Sequence, residues 1–137
     1  AHGRFGESAG QMEDLLWYNR SLRKSRVMQE PGKDVKRALL SYEVLAYCED
    51  RDVSLVRIRL HTGRTHQIRV HMASIGHPLL GDAVYGPKKC PVKNLQGQTL
   101  PAMVLGFIHP RTGAYMEFEA PLPEYFSNLL LQFRKNV

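Results

Sequence analysis

Apolar and polar positions alternate along this chain in patterns that change period several times. Met12, Leu15 and Leu16 recur at i, i+3 and i+4 beside Trp17 and Tyr18, a spacing that predicts a short helix on the body of the protein. Leu, Tyr and Val then gather over residues 37–47. After the charged tip Glu49-Asp50-Arg51-Asp52, Val56, Ile58 and Leu60 alternate with Arg57 and Arg59, which predicts an antiparallel hairpin with one wet face. Past Thr62-Gly63 the period becomes helical, with Ile68, Met72 and Ile75 at i, i+4 and i+7 expected to face the core, and Gly76 and Pro78 expected to stop the helix. Residues 87–98 have little periodicity and read as a surface loop. Residues 103–108 read as a strand, Pro110-Arg111-Thr112-Gly113 as a turn, and residues 115–120 as its return strand, giving a second hairpin. A last helix places Phe126, Leu129, Leu130 and Phe133 on one stripe. The order helix, hairpin, helix, hairpin, helix predicts an α+β fold, a mostly antiparallel sheet with packed helices. Residues 1–10, rich in Gly and small or polar types, read as a loose and partly disordered lead-in, with the folded domain expected over 11–137.

Composition narrows the class. A chain of 137 residues with 43% apolar and 23% charged side chains suits one core, and no apolar stretch approaches the length of a membrane span. Cys48 and Cys90 are the only cysteines, too few for a disulfide framework or a structural zinc site, so a reducing, cytoplasmic setting is expected. Ala1-His2-Gly3 has neither an initiator Met nor a signal pattern, and the chain is expected to be part of a larger gene product. Lysine and arginine exceed aspartate and glutamate by 19 − 13 = 6, with a pI near 9.6. Such an excess suits a polyanion, and it equally suits a soluble surface with no such partner.

The cations have positions as well as number. Arg64, Thr65, His66 and Gln67 lie where a strand gives way to a helix, so free N–H groups, the positive end of a helix dipole and side-chain donors converge in an arrangement suited to phosphate. Thr65 suits plain helix capping equally well. Lys88 and Lys89 extend the same basic face. His61, His66, His71 and His77 are closely spaced, but five residues along a helix advance about 500°, leaving His66 and His71 about 140° apart, so no metal site is expected. Leu79 and Leu80 read as core plugs, and Asp82 beside Gly81 as a turn residue.

The string Thr62-Gly63-Arg64-Thr65-His66-Gln67-Ile68-Arg69-Val70-His71, followed by Gly76-His77-Pro78, Gly81-Asp82 and Tyr85-Gly86, resembles the RluA family of ribosomal and transfer RNA pseudouridine synthases. The resemblance runs over roughly residues 10–133 and implies the later, C-terminal part of that family's catalytic domain. It implies that Arg69 is catalytic, as the ion-pair partner of the nucleophilic aspartate. That aspartate belongs to a His-Arg-Leu-Asp stretch which this chain lacks, so the chain alone is expected to be inactive, with Arg69 pointing into a half-open cleft. The family's substrate is structured RNA, and no metal or organic cofactor is implied. Where the family has a histidine, this chain has Leu100-Pro101-Ala102, which removes any role for that residue. A non-catalytic RNA-binding module of the same fold is the alternative reading.

Overall fold

The segment around Met12 forms a strand, correcting the expected helix. In β1 (Ala9–Asn19) Met12 and Leu16 are buried with Asp14 between them on the same face, and Leu15 lies on the other. β1 is paired on both sides, with β2 (Lys24–Met28) and with β3 (Val35–Cys48). The β3 ladder runs over Ala9–Trp17 and the β2 ladder over Leu15–Asn19, and that tertiary pairing outweighs the weak helical spacing. The structure is a computed structural model and describes all residues except 93, 94, 96 and 135–137. As the hydropathy pattern indicated, β3 and β4 (Val53–Leu60) form an antiparallel hairpin, and the sheet runs in the order β2-β1-β3-β4. A shift of register between Val44 and Ala46 leaves Leu45 exposed.

One face of this sheet carries α1 (Gln67–Ser74), which packs against β1 and β2. Met72 joins Met12, Leu40 and Leu79 in one core cluster, with Ile68 at its margin, and Val70 joins Leu16 and Ala38 in a second. Ile75, expected in the core, is 40% exposed. The helix is only two turns long, Ile75 is its C-cap, and Gly76 at φ 84° turns the chain away. The buried surface therefore wraps Gln67, Val70, His71 and Met72 instead of following a single stripe.

Residues 1–8 are tied to the sheet, unlike the loose lead-in expected. His2 N–H donates to Pro78 O at 2.8 Å, Ser54 N–H to Ala1 O at 2.8 Å and Val44 N–H to Ser8 O at 2.7 Å. Phe5 stacks on His77 with ring centroids 4.1 Å apart. These contacts lie within a first compact unit, Ala1–Gln98. A second unit, Thr99–Val137, contains the expected second hairpin, β5 (Val104–Ile108) with β6 (Tyr115–Glu119), and α2 (Glu124–Arg134). In α2, Leu129 is buried and Phe126 and Leu130 half-buried, while the side chain of Phe133 lies outside the described residues. Among the described residues no helix is long and apolar enough to cross a membrane.

Candidate functional site

The sequence motif builds a helix and a loop that lock together through one ion pair. Arg69, in the first turn of α1, donates from Nε to Asp82 Oδ2 at 2.9 Å and from Nη2 to Asp82 Oδ1 at 2.8 Å. The side chains are 12% and 0% exposed. Asp82 also accepts the backbone N–H groups of Val84 (3.0 Å) and Tyr85 (3.1 Å), so the expected turn residue organises the loop and anchors the arginine together. Burial pushes the Asp82 carboxyl up, but the hydrogen bonds from Arg69, Tyr85 and Val84 and the Arg69 charge outweigh it and hold it below the usual aspartate value. The hydrogen bonds to Asp82 likewise raise the Arg69 guanidinium against the opposing effect of burial. Gly81 is required here: its φ is 77°, and a Cβ would come within 2.2 Å of Gly97 O.

Tyr85 is the hub beside this pair. Its ring lies under the Arg69 guanidinium (5.2 Å) and the Lys24 ammonium (5.5 Å). Its hydroxyl accepts Ser25 N–H at 2.7 Å and lies 2.8 Å from His66 Nδ1. Burial and the Arg69 charge hold His66 below the usual histidine value. Burial raises the Tyr85 phenol, which keeps its proton in place. Ser25 Oγ donates to Thr65 O at 2.6 Å, closing β2 onto the start of α1.

The residues expected to face an anion divide into two groups. Gln67 is 3% exposed and structural: its Oε1 accepts Thr62 Oγ1–H and Arg64 N–H, and its Nε2 donates to Leu39 O. This corrects its expected place on the RNA-binding face, because a buried amide with three partners has no outward donor. Thr65 is exposed but does not cap the helix; His66 is the N-cap, at φ 57° with no side-chain cap hydrogen bond. Arg64 is exposed and braced by Nε to Arg37 O at 2.9 Å. Lys88 and Lys89 are exposed in the loop after Gly86. Arg69 and His66 thus meet at Tyr85, and Lys24 and Ser25 join from β2. The motif string offered no signal for those last two, which arrive through sheet pairing.

His71 points the other way, into the core. It is wholly buried, with Nε2 3.4 Å from Asp14 Oδ2 but without hydrogen-bond alignment at either ring nitrogen. The two histidines therefore have separate surroundings, and among the described residues no three His, Cys, Asp or Glu side chains converge on a common point.

The family described as RNA pseudouridylate synthase matches residues 6–74, which include α1 and Arg69. The chain is 45% identical over 135 residues to a Bacillus subtilis protein named "Uncharacterized RNA pseudouridine synthase YlyB", covering 98% of this chain and 42% of that protein. It is 50% identical over 91 residues to the ribosomal large subunit pseudouridine synthase D of Haemophilus influenzae, covering 58% of this chain and 28% of the relative. Among solved structures, human RNA Pseudouridylate Synthase Domain Containing 1 superposes with a TM-score of 0.71 at 25% identity, over 97% of this chain and 62% of that one. The chain thus spans about two-fifths of the length of the Bacillus relative.

Proposed function

We propose a function from one premise: this chain belongs to the RNA pseudouridylate synthase family. In a protein of its relatives' length, this chain forms the C-terminal part of a cytoplasmic synthase domain that converts uridine to pseudouridine in ribosomal or transfer RNA. The reaction is an isomerisation: the bond from ribose C1′ to N1 breaks, a bond from C1′ to C5 forms, C5 loses a proton and N1 gains one. The base must leave the stack to react, so a recessed cation and a basic rim are both needed.

Arg69 is the residue that carries the chemistry. The supporting observation is its buried bidentate pair with Asp82, which occupies Nε and Nη2 and fixes the plane of the guanidinium. Of the five N–H donors of an arginine, three remain, two on Nη1 and one on Nη2, for a second carboxylate, the nucleophilic aspartate supplied by another part of the synthase domain. A fixed cation beside that carboxylate keeps it ionised inside an enclosed pocket. Arg64, Thr65, His66, Lys88 and Lys89 form the surrounding RNA face. The test is tritium release from RNA labelled at uracil C5, with nucleoside analysis of the product. A protein of the relatives' length is expected to release tritium and form pseudouridine, and the 137-residue chain alone to do neither. RNA binding by the longer protein without any pseudouridine identifies the non-catalytic module instead.

A further inference from the structure

The hairpin of β1 and β2 has two working faces. Tyr18 and Ser25, paired across the strands, face α1, where Ser25 holds Tyr85 and the Tyr18 ring meets His66 at 6.1 Å. The next pair, Trp17 with Arg26, alternates to the opposite face. There Trp17 is also paired with Val35, and these residues with Met28 and Lys33 line an open groove of about 610 Å³. Trp17 is half-buried, so its ring is seated while part of it stays accessible. Arg26 and Lys33 are exposed and, among the described residues, have no ion-pair partner; Glu30 is the one acid on the rim.

β2 is the edge strand of its sheet, so a chain-like ligand can cross from one face to the other around it. The crossing is marked by Lys24, which stands at the Tyr85 ring, with Arg20 and Arg23 exposed on the adjoining turn. That turn is ordered by Asn19 Oδ1, which accepts the N–H groups of Ser21 and Leu22. Cations along an edge, followed by an aromatic in a basic groove, make the arrangement that holds a single strand by its phosphates and stacks one of its bases.

We infer that the Trp17–Arg26 groove is a nucleotide subsite that stacks an unpaired RNA base flanking the nucleotide presented to Arg69, the intervening phosphates being held by Lys24 and Arg26 around the β2 edge. The inference rests on the RNA reading above and assigns a second contact region to it. Trp17 is the only tryptophan of the chain, so its fluorescence reports on this groove alone.

The experiment titrates the 137-residue chain with a dye-labelled oligouridylate, reading anisotropy for total binding and Trp17 fluorescence for occupancy of the groove. The two signals are expected to saturate together. Trp17→Leu should weaken binding about tenfold and Trp17→Phe, which keeps an aromatic face, should restore most of it. Arg26→Gln should lower the slope of log affinity against log salt by about 0.7, one phosphate contact on a single strand. The Arg26 variant and the wild-type quench decide the matter even if Trp17→Leu fails to fold. Anisotropy that reports binding with no change in Trp17 emission and an unaltered salt slope for Arg26→Gln overturns the subsite and leaves the RNA reading standing. No binding at low salt overturns the subsite, while the proposed function is decided separately by tritium release in the longer protein.

Discussion

Asp82 and Arg69 meet across the gap between a loop and a helix, the carboxylate wholly buried and the guanidinium mostly so, and the carboxylate that orders the loop also sets the plane of the guanidinium. Removing one member of a buried pair leaves the other charge uncompensated. Asp82→Ala is therefore expected to cost about 3–5 kcal/mol in urea unfolding at neutral pH.

The same pair has an acid limit. The Asp82 carboxyl is held below its ordinary value of 3.8 in the folded chain, so its contribution is fully present above about pH 4 and is lost as pH falls through the folded value. The stability gap between the wild type and Asp82→Asn should be constant near neutrality and close below that point. A gap that is unchanged at lower pH removes the pair as its source.

His71 gives the opposite end of the acid range its own signature. Burial holds it below the ordinary 6.5, with Asp14 opposing only in part. Below that value the unfolded chain takes up a proton that the folded chain refuses, so stability falls as pH drops from about 7 towards 5, by no more than about 1.4 kcal/mol per pH unit. His71→Leu, which removes the titrating ring from a site where neither nitrogen is hydrogen-bonded, should flatten that part of the profile. An equally steep profile in the variant assigns the effect to another group.

Two apolar positions, Met72 within α1 and Ile75 at its C-cap, should behave differently although the sequence places them on one stripe. Met72 is wholly buried in its cluster, and Met72→Ala should cost about 2–5 kcal/mol. Ile75 is 40% exposed beyond the last turn, and Ile75→Ala should stay within about 0.5 kcal/mol. Urea midpoints of the two variants check the placement of the helix face.

Much of the fold was legible where one physical signal dominated. The alternation of Val56, Ile58 and Leu60 with arginines marked β4, and the glycine and proline signals bounded α1 and the second hairpin. β1 was not legible because Asp14 occupies the core-side position between Met12 and Leu16, breaking the alternation, while Leu15 beside Leu16 imitates a helical stripe. β2 was hidden by its composition: Ser25 is its buried residue, and only the Tyr85 and Thr65 bonds explain why. At the site, the motif pointed to Arg69, but its partner stands 13 residues away and joins it only through the fold. Gln67 was misplaced because nothing local distinguishes an outward amide from one consumed by Thr62, Arg64 and Leu39.

The central claim is that Arg69 acts on the chemical step, and it is tested most directly by single-turnover pseudouridine formation in a protein of the relatives' length, with RNA affinity measured in parallel. Arg69→Ala is expected to slow formation by about a hundredfold or more while leaving RNA affinity within severalfold of wild type, the pattern of a group that keeps the nucleophile ionised and in place without holding the RNA. Pseudouridine formed at close to the wild-type rate by the variant contradicts the account.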